Sequence, residues 1–440
     1  MAIDDPAPSP DPRERRSALF ASAVPALVIL AASFFQAEIL HGSWDRLNAI
    51  LSVVNPSRSN VNDALPAMQA AQALLAEPRA PIYDMSRPDT AAFLYPPIAA
   101  ALYAPHVAAG AGATASLVTW NRLVFLLIGV LLAATLAGPR RRWPSPLELA
   151  GVAAAMVLFL PAVRALELNQ ASLYVALFLG AAWVALDRGA EAAAGVFLAL
   201  AAAVKPHLFA VAPLLVFHAR RMAVAAGATG ALLLAASLLY AGVPNHVTYL
   251  THVLPEASRG YAFFPNQSFG GLLHRLLSDA PLDVFALMAP SPLVMQATLA
   301  VAAAVYGAVL FVLFRARAHR DLAREAFALA WLVTTMIAPI AWGHHYAAAL
   351  FPLAWLVRRF RDGEERGAAR LGPVAVGCAL LGSYFVVSGL RGPAPRLLAS
   401  YGLFGALLAA GAFARTVISE ATALSGRRSV PEADCEELVQ

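Results

Sequence analysis

The chain has 440 residues, 60% of them hydrophobic and 13% charged, and its mean hydropathy is +0.64. Water-soluble domains carry about 25% charged residues, so these figures exclude a soluble fold, and charges confined to short runs between long apolar stretches exclude disorder, coiled coil and collagen. The net charge of +5 does not signal nucleic acid, because the basic residues sit at the ends of apolar segments rather than in one patch interleaved with aromatics. Two cysteines, Cys378 and Cys435, offer neither metal-ligand spacing nor a disulfide pattern.

In chain order, the first apolar run covers 18–40 and exceeds the roughly 7 to 15 residues of a signal-peptide core. Nothing after it reads as a cleavage site, so it is taken as a retained span. Further runs of spanning or near-spanning length cover 116–137, 147–165, 171–186, 222–240, 293–314, 325–341, 346–357, 371–390 and 397–413. The stretch 191–219 is interrupted near its middle by Lys205, Pro206 and His207, and reads either as one long kinked span or as a hairpin of two short helices.

Charge separates those readings. With the hairpin, 21 arginines fall on the side of the N-terminus and nine on the other. With a single span, Arg220, Arg221 and the basic cluster at 315–324 would face outward, against the positive-inside rule. The expectation is therefore an all-α polytopic membrane protein of about twelve spans, with a membrane domain over 18–415 and cytoplasmic tails at 1–17 and 416–440. The apolar run 96–107 is too short to cross and is expected, with 63–77, to form helices at the outer interface. Two large loops, 41–115 and 242–291, then face outward. No repeat of fixed period and no matched pair of six-span halves is visible.

Polar groups on the outward side carry the chemistry. Asp63 stands directly before a helical pattern, where aspartate serves equally well as an N-cap; Asp45, Asp84 and Asp89 are rival carboxylates in the same loop. Lys205 is the only lysine beside 31 arginines. A lysine near a helix end snorkels to the interface, but in a chain that otherwise uses arginine it also suits a compact point charge on a phosphate. Trp342-Gly-His-His-Tyr346 joins two spans, and its adjacent histidines diverge too far for a two-histidine metal site. Asn266, Gln267, Ser268 and Arg275 enter a helix in the second loop, while Glu167, Asn169 and Gln170 lie at the outer end of a span. No phosphate-binding glycine loop, dinucleotide fingerprint or cysteine cluster accompanies them. The topology places all these groups on one face of the membrane, which fits a lipid-borne substrate better than a cytoplasmic nucleotide.

In order, these residues resemble glycosyltransferase family 87, membrane enzymes of GT-C type that include polyprenol-phosphate-mannose-dependent mannosyltransferases. The resemblance runs from about Asp63 to about Pro352 and rests on Asp63, on Tyr83-Asp84 followed by Tyr95-Pro96-Pro97, and on Leu-Glu-Leu-x-Gln-x-Ser at 166–172. Lys205-Pro206, Asn266-Gln267-Ser268 followed by Arg275, and Ala-Pro-Ile-x-Trp-x-His-His at 338–345 complete it. Two positions depart from the family pattern: Asn169 stands where glycine is usual before the Gln, and Ala67 where an aromatic is common.

The resemblance implies twelve spans with interfacial helices in the first outer loop, and inverting transfer of a hexose or pentose, mannose favoured, from a polyprenyl-phosphate sugar to a lipid or polysaccharide acceptor. It implies Asp63 as general base and His345 or His344 as a hydrogen-bonding partner of the acid or the phosphate. Lys205, with His207 or Arg275, would meet the phosphate, and Tyr95, Gln170, Asn266 and Gln267 are further substrate contacts. No metal or other cofactor is needed and no nucleic acid takes part. The implied setting is a bacterial plasma membrane with the site facing the periplasm or exterior. Competing readings are a twelve-span transporter or flippase without catalysis, and an envelope scaffold with a decayed site. Transporters place charges and broken helices at the bilayer midplane, and here they lie at the outer ends.

Overall fold

The computed structural model describes residues 12–83, 93–139, 144–285, 291–362, 365–387 and 392–427. Among them the chain is helical, and its one β-type pairing is an isolated bridge between Asn266 and Trp342. The order is α1 Pro12–Phe34, extended by a wider π-turn to Leu40, α2 Asp45–Val54, α3 Leu65–Ala76, a tight 3-10 segment Pro97–Leu102, α4 Ala104–Val107 and α5 Ala113–Ala137. There follow α6 Pro146–Leu158, α7 Leu160–Glu167, α8 Ser172–Asp187, α9 Glu191–Val204, a 3-10 segment Pro206–Ala210, α10 Val211–Leu215 and α11 Arg220–Thr248. After α12 Leu254–Ala257 and α13 Phe269–Leu277 come α14 Pro292–Arg315, α15 Ala323–Met336, a 3-10 segment Gly343–Ala349, α16 Leu350–Arg361, α17 Glu365–Leu381, α18 Pro393–Leu398 and α19 Tyr401–Arg427.

Among the described residues five helices are long and apolar enough to cross a membrane, six if α6 and α7, bent by 63° at their junction, are one span. The junction falls at Phe159, just ahead of Pro161, whose ring and missing N–H break the helical ladder. The other runs expected to span are present as shorter helices; the 14 residues of α9 rise only about 21 Å, less than a hydrocarbon core of about 30 Å. On α14 only Val294, Val309 and Leu313 are buried, while Leu299 and Phe311 are each 63% exposed. An apolar face this long is stable against lipid and not against water.

The arginine-rich end is knotted by buried ion pairs. Arg358 at the end of α16 grips Asp187 at the end of α8 through two bonds of 2.6 and 2.8 Å, and also donates to the Thr135 carbonyl near the end of α5. Arg324 reaches the same aspartate at 3.0 Å, Arg359 and Arg370 both meet Glu325 at 3.2 Å, and Arg361 pairs with Glu148 at the start of α6. One end of α5, α6, α8, α15, α16 and α17 is thereby fixed in a common layer.

Residues 191–219 turn back on themselves. A Cβ on Gly195, near the start of α9, would collide with the Met222 carbonyl at the start of α11, so the two helices begin side by side. His218 hydrogen-bonds the carbonyls of Leu313 and His319, next to the ion-paired layer. The chain therefore leaves that layer along α9, reverses at Lys205 and returns along α10.

Three boundaries differ from expectation. The run 371–390 is helical only to Leu381, and 383–387 is not helical. Ser33 and Gln36 of the first helical element satisfy its backbone: Tyr384 N–H donates to Ser33 Oγ, Val386 N–H donates to Gln36 Oε1, and Ser33 and Gln36 donate back to the carbonyls of Tyr384 and Val386. At the chain ends, α1 starts at Pro12, inside the expected tail 1–17, and α19 runs to Arg427, past the boundary expected at 415. In the first large loop, α3 and the 97–107 segment are short helices, as expected, and they share a small core of Ala67, Met68, Ala100 and Tyr103.

Candidate functional site

At the end opposite the ion-paired layer, five stretches far apart in sequence meet. The first is the loop 59–64 leading into α3. Its turn is made by Asn60, whose side chain accepts from Asn62 N–H at 2.8 Å. The residue capping α3 is Ala64, without a side-chain bond, so Asp63 is not the N-cap. Its carboxylate is exposed and accepts instead, at Oδ2, a 2.6 Å hydrogen bond from Gln170 Nε2.

The second stretch is the turn between α7 and α8. Asn169 N–H donates to the Leu166 carbonyl at 3.1 Å and Gln170 N–H to the Ala165 carbonyl at 2.9 Å, the paired bonds of a Schellman cap. Such a cap needs a left-handed residue at its centre, and Asn169 has φ of 50°. Glycine does this without strain and asparagine is the best-tolerated substitute, so the departure at Asn169 preserves the backbone of the family pattern. The cap aims the Gln170 amide, whose Oε1 in turn accepts from the Tyr95 hydroxyl at 2.9 Å.

Tyr95, in the third stretch, connects to the fourth and fifth. Lys205 Nζ lies 5.4 Å from the Tyr95 ring centroid, at cation–π range, and 2.6 Å from His345 Nε2. Lys205 and His345 occupy turns between helices, outside the spanning segments. Burial lowers the Lys205 ammonium to about 7. It also holds His345 well below the usual histidine range, with the Lys205 charge adding to the effect. A neutral imidazole with its lone pair at Nε2 accepts from the ammonium, which is how a cation with no carboxylate partner among the described residues is kept at 8% exposure. His207 stacks on His345 with centroids 6.4 Å apart, and His344 packs edge-on against it at 4.9 Å. The Tyr95 hydroxyl is held above its ordinary value, first by burial and then by the Asp63 charge.

Asp63, Gln170, Tyr95, Lys205, His345, His207 and His344 thus form one connected group. Asn266, Gln267 and Arg275 do not join it. Asn266 Oδ1 accepts from Ala341 N–H at 2.9 Å and its amide faces the Tyr261 carbonyl, while Gln267 is held by the backbone of Phe264, Ala399, Gly402 and Leu403. Arg275 is fully buried and donates to the Asn266 carbonyl at 2.9 Å and to Ser400 Oγ at 2.7 Å. Asn266 braces the second large loop against the segment 338–346 that carries the histidines, with the Tyr346 hydroxyl donating to the Gln267 carbonyl at 2.9 Å, while the Gln267 side chain and Arg275 tie the same loop to 399–403. Of the rival carboxylates, Asp45 begins α2, and Asp84 and Asp89 lie outside the described residues.

Two residues of the site escape a reading by side-chain type. Asn121 and Asn169 are wholly buried and bonded to each other at 3.0 Å, and Asn169 also donates to the Asn60 carbonyl at 3.2 Å. The signal available was the replacement of a customary glycine by asparagine, which marks a left-handed backbone position. Among the described residues no three of His, Cys, Asp and Glu come together as metal ligands.

What this arrangement offers chemically is an exposed carboxylate steadied by an amide, next to a buried cation steadied by an imidazole. A family model described as glycosyltransferase family 87 matches residues 93–339, more than half of the chain, including Tyr95, Gln170, Lys205 and His207, with Asp63, His344 and His345 outside the matched range. No curated protein and no solved structure matches. An all-helical chain with membrane-length apolar helices, matched over most of its length by that model, is a membrane glycosyltransferase and belongs to glycosyltransferase family 87.

Proposed function

We propose that the protein moves a hexose or pentose, mannose favoured, from a polyprenyl-phosphate sugar to a lipid or polysaccharide acceptor. The proposal includes a GT-C architecture of twelve spans in a bacterial plasma membrane, with the reaction on the outer face. The observation that carries it is the connection of Asp63 to Lys205 through Gln170 and Tyr95, which places a proton acceptor and a phosphate-sized cation in one site.

In this mechanism the acceptor hydroxyl loses its proton to Asp63 as its oxygen bonds to the anomeric carbon. The bond from that carbon to the phosphate oxygen breaks on the opposite face, so one displacement inverts the configuration and polyprenyl phosphate departs. Gln170 holds one carboxylate oxygen, and among the described residues Asp63 Oδ1 has no hydrogen-bond partner, which leaves it to take the proton. A positioned base of this kind is worth roughly 10² to 10⁴ in rate. Lys205 stabilises the phosphate as it gains charge, a task that a monophosphate leaving group sets without requiring a divalent metal.

The test is transfer by detergent-purified protein from synthetic polyprenyl-phosphate mannose or arabinose to a lipid extract, with Asp63→Asn alongside. Labelled glycolipid from the wild type and at least a roughly 100-fold lower rate from the variant are expected. Near wild-type turnover in Asp63→Asn would remove Asp63 as the base. A transporter would give no labelled product from either protein.

A further inference from the structure

We propose that Asn169 is a positioning residue for Asp63, tying the loop that bears the carboxylate to the helix turn that bears Gln170. The inference rests on the reading of Asp63 as the base. It goes beyond it by assigning a role in this chain to a position that in the family is usually a side-chain-free glycine.

Asn169 does two separable jobs. Its backbone, at φ 50°, forms the centre of the cap that ends α7 and aims Gln170 at Asp63. Glycine does this job as well. Its side chain, wholly buried, does the second. Nδ2 donates to the Asn60 carbonyl at 3.2 Å and to the Glu167 carbonyl at 3.4 Å, and Oδ1 accepts from Asn121 Nδ2 of α5 at 3.0 Å. Asn60 N–H donates to the Glu167 carbonyl at 2.7 Å, so the side chain completes a bridge between the loop and the end of α7 on both polar groups of Asn60.

Asp63 lies three residues beyond Asn60 at the exposed end of this loop, and its other restraint is the Gln170 amide. With the Asn169 bridge in place, the loop and the amide move as one body. Without it, the loop keeps the Asn60 N–H bond to Glu167 and the Arg122 bond to Ser59 Oγ but loses the tie at the Asn60 carbonyl, which loosens the carboxylate's distance from the acceptor hydroxyl, and misplacement by about 1 Å costs up to 10²-fold in rate.

Asn169→Gly separates the two jobs, because it keeps the left-handed turn and deletes the side chain's bonds to Asn60, Glu167 and Asn121. Asn121→Ala is a second variant that leaves Asn169 in place and removes the donor orienting its amide. For each, kcat, donor KM and the thermal unfolding midpoint are measured in detergent with a synthetic polyprenyl-phosphate sugar, beside Asp63→Asn.

Asn169→Gly is expected to lower kcat roughly 10- to 100-fold with donor KM within about twofold of wild type when assayed well below its unfolding midpoint, which itself falls because Asn121 Nδ2 loses its buried partner. Asn121→Ala should follow in the same direction, less steeply. Wild-type kcat in Asn169→Gly while Asp63→Asn is inactive would overturn the positioning role and leave the base intact. So would a rate that returns to wild type at temperatures well below the lowered midpoint. Wild-type turnover in Asp63→Asn would overturn the base itself, and with it any role exerted through it.

Discussion

Gln170 Nε2 donates a 2.6 Å hydrogen bond to Asp63 Oδ2 across 107 positions of sequence, and Gln170 Oε1 accepts from Tyr95 at 2.9 Å. The amide is therefore oriented from both sides, and its donor end is committed to the carboxylate. Gln170→Glu preserves size but sets two carboxylates at hydrogen-bond distance, where they share one proton and one of them is held protonated well above its ordinary range. Transfer at neutral pH is expected to fall roughly tenfold or more, with the acid limb of the kcat–pH profile displaced to higher pH. An unshifted limb would mean that Gln170 does not face the working base.

Lys205 predicts a pH dependence of the opposite sense. An ammonium is charged below its pKa and neutral above it, and burial brings that of Lys205 down to about 7. The charged fraction in the free protein falls as pH rises through about 7, so kcat/KM for the donor is expected to decline from pH 6 to pH 8. Lys205→Arg stays charged throughout, and its residual activity should lose the decline. Lys205→Ala should raise donor KM at every pH. A wild-type profile flat above pH 6, with both variants fully active, would return Lys205 to a merely structural place at the helix turn.

The outer-end polar residues were legible in the sequence to different degrees, for a physical reason. Asp63 stood out because sorting the arginines by side groups the charges expected to share a face, and Lys205 because it is the only lysine beside 31 arginines. The reversal at Lys205 was legible in the same way, since only a hairpin keeps Arg220 and Arg221 with the other arginines. Asn266, Gln267 and Arg275 read identically whether they face a substrate or the protein's own carbonyls. Their partners are the backbone of Tyr261, Ala341, Ala399 and Gly402 and the Ser400 hydroxyl, and local sequence does not encode contacts that distant. The end of α17 at Leu381 has the same origin, because the side chains that free 383–387 from helix lie about 350 positions away on α1 and its π-turn extension.

That distinction makes Arg275 a discriminating position. Its guanidinium is fully buried and its bonds go to Asn266, Phe263 and Ser400, so Arg275→Ala should weaken the brace rather than the donor contact. Leaving the Asn266 carbonyl unpartnered costs about 1–3 kcal/mol, while the Phe263 carbonyl keeps the Asn266 N–H. A lower unfolding midpoint with donor KM close to wild type is the expected result. A large rise in KM at an unchanged midpoint would place Arg275 among the substrate contacts after all.

The far end of the molecule tests the architecture independently of the chemistry. Arg358 holds Asp187 bidentately while also bonding the Thr135 carbonyl, and Asp187 is almost wholly enclosed, its side chain 2% exposed. Removing one partner of a buried pair costs about 3–5 kcal/mol, chiefly from the charge left behind. Arg324 remains at 3.0 Å from the same carboxylate and is one-third exposed, so Arg358→Ala should fall at the lower end of that range. Since α5, α8 and α16 are joined there, the loss should shorten the half-life of thermal inactivation in detergent while leaving donor KM unchanged. Adding Asp187→Asn to Arg358→Ala removes the stranded charge and should recover part of the half-life. If the double variant is no more durable than the single, the pair acts through packing of the Arg358 stem against Gly138 rather than through charge.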